Sequence, residues 1–88
     1  MYKVQLTRAA ADFIRGQTKK VQRQITGRLN RLKDNPRPMD CKKIQSGKNL
    51  YRLRSGVYRI VYQVFDDRIL VVVIRIGHRK DVYKRLID

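Results

Sequence analysis

The chain has no glutamate and no tryptophan, and only one histidine, one cysteine and two prolines in 88 residues. Each shortage excludes something. Cys41 stands alone in a Pro-rich stretch, so no intramolecular disulfide and no Cys-based metal site can form. One His and no Glu leave too few ligands for a zinc or calcium site, and any chemistry is expected to need neither a metal nor another cofactor. The longest apolar run, Ile69 to Ile74, is strand-sized and cannot span a bilayer. Met1-Tyr2-Lys3-Val4-Gln5 carries no secretory apolar segment, so a cytoplasmic location is expected, without membrane contact.

What the chain has in excess is positive charge. Lys and Arg total 22 against 7 acidic residues, every one an Asp, for a formal charge of +15. Such a density repels itself and is tolerated where function needs a strong positive field, which predicts a polyanionic partner. Nucleic acid leads, because no long helix sets Trp or Phe against Lys and Arg as a membrane-surface helix would.

Residues 1–88 are enough for a single domain with one modest core. Val4 and Leu6 alternate with Lys3, Gln5 and Thr7, which predicts a short opening strand. Thr7 then caps a helix to about Arg15, with Phe13 and Ile14 inward and Gly16 as its stop. Val21, Ile25, Leu29 and Leu32 recur at helical spacing and predict a second helix from about Lys19 to Lys33, ended by Asp34-Asn35-Pro36-Arg37-Pro38. Its basic positions, Lys19, Lys20, Arg23, Arg28, Arg31 and Lys33, read as a solvated or polyanion-facing surface.

Residues 35 to 47 read as loop. Strands are expected at about 49 to 54, 57 to 65 and 69 to 76, joined through Ser55-Gly56 and a tight turn at Asp66-Asp67. In the last of these Leu70, Val72, Ile74 and Ile76 alternate with Ile69, Val71, Val73 and Arg75, so it should be central and covered on both faces. Lys80 to Ile87 reads as a short helix anchored by Val82 and Leu86. The fold expected is α+β: an N-terminal strand, a two-helix hairpin packed on a mainly antiparallel twisted sheet, and a short C-terminal helix.

Period-two spacing puts Arg52 and Arg54 on one strand face, where Arg59, Arg79 and Tyr83 can join them if the chain folds back as a sheet. Such a cleft suits RNA cleavage by attack of a 2′-hydroxyl on the adjacent phosphate. That path needs proton removal, stabilisation of a crowded phosphorane and help for the departing 5′-oxygen. Arginine serves the second task with a planar fork of permanent charge, and the same permanence disqualifies it as a base. Proton transfer then falls to Tyr83 first, with His78 or a nearby Lys behind it. Lys48, His78, Lys80 and Lys84 are expected to hold RNA. Tyr58 and Tyr62 share a face with Ile60 and Val64 and read as core.

The segment from Tyr51-Arg52-Leu53-Arg54 through Tyr58-Arg59-Ile60-Val61-Tyr62, with Gly77-His78-Arg79-Lys80-Asp81-Val82-Tyr83, resembles the RelE group of the RelE/ParE superfamily of type II toxin–antitoxin systems. The resemblance implies a ribosome-dependent endoribonuclease that cleaves messenger RNA in the A site, with Arg52, Arg54, Arg59, Arg79 and Tyr83 as the active set. RelE-like toxins commonly carry Lys at the two strand positions held here by Arg52 and Arg54, which puts more of the proton transfer on Tyr83 and His78. It also implies a cognate acidic antitoxin, through which the complex binds operator DNA. The competing classes are a ParE-like inhibitor of DNA gyrase and an RNA- or ribosome-binding module without chemistry.

Overall fold

The computed structural model describes residues 1–83. Strand β1 (Lys3–Leu6) leads into helices α1 (Arg8–Arg15) and α2 (Lys19–Leu32); β2 (Lys42–Lys43), β3 (Leu50–Ser55), β4 (Tyr58–Phe65) and β5 (Leu70–His78) follow. The sheet order is β1-β5-β4-β3-β2, with β1 parallel to β5 and every other pair antiparallel. Both helices lie on one face. There Ala10, Ile25, Leu29 and Leu32 pack against Leu53, Ile60, Tyr62, Val64, Val71, Val73 and Ile76. Among the described residues, the opposite face carries a small apolar cluster of Leu50, Val61 and Val82, flanked by Ile44, Ile74 and Tyr83.

Local sequence explains the helix boundaries. Thr7 accepts the Ala10 N–H as N-cap of α1, and Thr18 accepts the Val21 N–H at the start of α2, each at 3.3 Å. Thr7 has a second task. A bulge in the β4–β5 ladder leaves Ile74 without an opposite residue, since Tyr62 pairs with Val73 and Val61 with Arg75. The Thr7 hydroxyl donates to the Ile74 carbonyl at 2.6 Å, and the Thr7 N–H donates to Val73 at 3.0 Å. The helix cap therefore supplies the hydrogen bond that the bulge removes.

Four expectations change. Lys42–Lys43 forms an edge strand inside the stretch read as loop. The β4–β5 connection is a 3-10 turn at Asp66–Arg68 followed by Ile69 at φ 50°, not a two-residue turn. Strand β5 is fully buried mainly on the helix side, because among the described residues its other face is covered by the small cluster alone, which buries Gly77 and leaves Ile74 half-buried. Residues 79–83 make a single turn rather than a helix: the Asp81 and Val82 N–H groups both donate to the His78 carbonyl. Lys84, Leu86 and the rest of the expected terminal helix lie outside the described residues.

A polar network ties the post-α2 loop to the far end of the sheet. Arg37 grips both Asp66 carboxylate oxygens, at 3.0 and 2.8 Å, and donates from Nε to the Tyr51 hydroxyl at 2.9 Å. The Tyr2 hydroxyl donates to the same carboxylate at 2.7 Å. Beneath them the Tyr62 hydroxyl donates to the Pro36 carbonyl, and burial pushes that phenol's pKa up. The Arg37 hydrogen bonds, and then the one from Tyr2, hold Asp66 down to about 2.

Two outcomes follow from these contacts. Thr7→Val keeps the side chain's shape but loses both the cap and the bond to Ile74, at a cost of about 2 kcal/mol. It should appear as a lower denaturant midpoint at unchanged slope. Because Asp66 titrates lower in the folded chain than the ordinary aspartate value of about 3.9, its contribution is complete above that value and is lost as pH falls through about 2. In urea titrations against pH, the gap between the parent and Asp66→Asn should close across that window.

Candidate active site

The open face of the sheet holds the basic residues. Gly56, at φ 61°, is the first of the two residues, Gly56 and Val57, that link β3 to β4, as a tight hairpin of this hand requires. That turn sets the register: Ser55 opposes Tyr58, Arg54 opposes Arg59, and Arg52 opposes Val61. On the far side of β3, Lys42 opposes Arg52. Like charges directly across a ladder are unfavourable, so two such pairs mark a face built for an anion rather than for stability. The residues enclose a cleft of about 220 Å³ lined by Asp40, Lys42, Arg52, Arg54 and Arg59.

Arg59 is half-buried, with Nη1 donating to the Gly56 and Tyr58 carbonyls at 3.0 Å each, which fixes its guanidinium against the hairpin turn. Arg54 is positioned through its backbone. Arg28, reaching across from α2, donates from Nε to the Arg54 carbonyl at 3.1 Å and pairs through Nη2 with Asp40. Its side chain is only 23% exposed, so Arg28 is not part of the solvated surface expected of α2. This one guanidinium joins the helix, the central hairpin and the loop before β2. The Arg28 hydrogen bond also holds the Asp40 carboxyl below its ordinary range.

Tyr83 arrives by apolar packing. Val82 is buried among Leu50 and Val61 and sits on Gly77, where an added methyl would stand 3.3 Å from the Val82 Cβ. The next residue is thereby set beside β3, with the Arg52 guanidinium carbon 5.8 Å from the centre of the Tyr83 ring. The Tyr83 hydroxyl is buried and has no hydrogen-bond partner among the described residues.

The other candidates lie elsewhere. Arg79 is held beside the hairpin turn by its N–H, which donates to the Val57 carbonyl at 2.8 Å; its side chain is exposed and does not line the cleft. Lys80 shares that turn. His78 pairs with Tyr58 on β4, and its ring meets Tyr58, which packs edge-on against Phe13 of α1. Strand alternation thus carries His78 to the helix side, away from the cleft. Its Nδ1 accepts the Lys80 N–H at 3.2 Å. Lys48 lies in the turn before β3, at the end opposite Arg54; the strand alone, from Leu50 to Arg54, spans about 13 Å at ordinary strand rise. Lys84 lies outside the described residues.

Sequence reasoning missed four groups at this face. Lys42 and Asp40 enter from a stretch read as loop, and Arg28 from a helix read as surface. The fourth is Arg75. Simple alternation sets it with Val71 and Val73, but the bulge at Ile74 turns it to the open side, in line with Val61, Arg52 and Lys42. No group of three or more His, Cys or Asp side chains gathers among the described residues to hold a metal.

With the arrangement established, comparison with known proteins gives it a context. The family model for the ParE toxin of type II toxin–antitoxin system, parDE, matches residues 4–83. The chain belongs to this toxin family. It is 34% identical over 71 residues to the mRNA interferase toxin RelE of Escherichia coli strain K12, covering 76% of this chain and 74% of that protein. A chain of the intact E. coli RelBE toxin–antitoxin complex superposes with a TM-score of 0.77 at 30% identity, over 89% of this chain and 96% of that one. The archaeal RelE–RelB complex from Pyrococcus horikoshii OT3 shares the fold at a TM-score of 0.81 and 22% identity, over 91% and 97% of the two chains. Within the family, the protein is a RelE-like toxin.

Arg28→Gln tests the tether. It should move the Asp40 titration midpoint upwards, towards the ordinary aspartate range, in a carbon-detected NMR titration, whereas the parent titrates lower.

Proposed function

We propose that the protein is an endoribonuclease that cuts messenger RNA on the ribosome and so stops translation. The observation that carries this reading is the convergence of Arg52, Arg54 and Arg59 on one cleft with Tyr83 against Arg52. The 34% identity to an mRNA interferase supports it at the level of the family.

In this reading the RNA phosphate sits between Arg54 and Arg59, whose opposed guanidinium groups grip its non-bridging oxygens and offset the charge that grows as the phosphorane forms. Arg52 holds the neighbouring phosphate. Arg79 and Lys80 add further contacts to the strand. The 2′-hydroxyl attacks in line, and the departing 5′-oxygen takes a proton from Tyr83, whose buried hydroxyl has no hydrogen-bond partner among the described residues. The product ends are a 2′,3′-cyclic phosphate and a 5′-hydroxyl. The reaction needs no metal or other cofactor in this scheme. His78, on the helix side, takes no part.

The ribosome supplies what an open cleft cannot: a message held in register and bent for in-line attack. The protein acts in the cytoplasm. Its partner in the resting state is an acidic antitoxin, which a charge of +15 favours and which the toxin–antitoxin complexes among its structural neighbours support. Through that antitoxin the complex reaches operator DNA.

Mapping RNA ends in a translating extract tests the proposal. Cuts inside codons should appear only with ribosomes present, and Tyr83→Phe should slow them by about 10²- to 10⁴-fold with ribosome binding retained. Equal rates for parent and Tyr83→Phe would remove the tyrosine from the chemistry. The family model's ParE description gives the rival outcome its content: inhibited supercoiling by gyrase with all RNA intact.

A further inference from the structure

Among the described side chains lining the cleft, one is an acid. Asp40 stands beside Lys42, Arg52, Arg54 and Arg59. Asp40 lies in the turn two residues before β2 and is tied to Arg54 through Arg28, which pairs with its carboxylate and donates to the Arg54 carbonyl. Arg28 is not among the cleft's lining residues. It reaches Asp40 from the α2 side through the carboxylate oxygen Oδ2, while the Asp40 side chain remains 56% exposed.

A lone carboxylate weakens a surface meant for RNA unless it does something the cations cannot. Apart from Asp40, the described residues lining the cleft offer no ready proton acceptor: Arg52, Arg54 and Arg59 stay charged at every working pH, the Lys42 ammonium has donors only and must first lose a proton, and His78 faces the other side of the sheet. A tyrosine that gives its proton to the 5′-oxygen cannot also accept one from the 2′-hydroxyl while still protonated. A carboxylate is ionised at neutral pH and accepts without prior loss of a proton. Arg28 neutralises its charge from behind, so the cleft remains attractive to phosphate.

Building on the ribonuclease reading above, we infer that Asp40 is the general base of the reaction and Arg28 its positioning residue. The 2′-hydroxyl proton passes to the Asp40 carboxylate as the O2′–P bond forms. The P–O5′ bond breaks, and the 5′-oxygen takes the Tyr83 proton. Solvent then returns a proton to Tyr83 and removes one from Asp40, which restores both groups. The charged and titratable groups facing Asp40 are Arg28 and Arg31 of α2, Lys42 of β2, Arg52 and Arg54 of β3, and Arg59 of β4. All are cations at neutral pH and keep the carboxylate ionised.

The test is single-turnover cutting of ribosome-bound message by parent, Asp40→Asn and Asp40→Glu, with thermal melts confirming that each is folded. Asp40→Asn should cut at least about 100-fold more slowly. Its half-saturating concentration on the ribosome–message complex should stay the same or fall, since an anion has left a basic surface. Asp40→Glu, which keeps the carboxylate, should recover part of the rate. Across pH 6 to 8 the parent rate should be flat, because the base is already ionised. Parent-like cutting by Asp40→Asn would overturn the assignment. So would a parent rate rising about tenfold per pH unit, which would give proton removal to a group of higher pKa. A parent that leaves every message intact would instead sink the ribonuclease reading, and this inference with it.

Discussion

Cations that repel one another have to be held side by side on a single sheet face, and the rest of the molecule answers to that constraint. Arg54 faces Arg59 and Lys42 faces Arg52 across the ladder. Nothing in these pairs favours the folded state. The register is imposed from outside them, by a two-residue glycine turn at one end of the hairpin and by Leu53, Ile60 and Tyr62 on its other face. The apolar side of each strand therefore stabilises what the charged side opposes, and alternation lets one strand do both.

The helices extend this division of labour. They fill the core, and they also send two polar groups through to the functional strands. Thr7 satisfies the carbonyl left open by the β5 bulge, and Arg28 fastens the Arg54 backbone while engaging Asp40. At the opposite end, Arg37 and Asp66 close the sheet with a second charged pair whose partners are tyrosines rather than a cleft. The two arginines have similar chemistry and different consequences, since only Arg28 stands behind the cationic face.

Much of this was readable in the residues, and the failures have physical causes. Thr7 as a cap, the 21-25-29-32 stripe of α2, and the joint facing of Arg52, Arg54 and Arg59 follow from local periodicity, which the structure keeps. β2 was invisible because two residues carry no alternation. His78 falls on the helix side because β5 runs to residue 78 rather than 76, and two further residues of alternation return its ring to the face that Ile76 occupies. The Asp40–Arg28 pair joins residues 12 apart in sequence that belong to different elements. No pattern within either segment encodes it.

The surplus residue at Ile74 has a consequence for how this chain can vary. The two halves of β5 are out of step, with Val71 and Val73 counted from one origin and Ile76 from another. Straightening the strand without removing a residue would bring the halves back into phase, driving Arg75 towards the core and lifting Ile76 into water with no change in composition. Losing the surplus residue itself would leave both faces as they are, with Val73 and Ile76 inward and Arg75 between them on the open side. The bulge is thus what lets a strand with two consecutive open-side residues keep an unbroken apolar face.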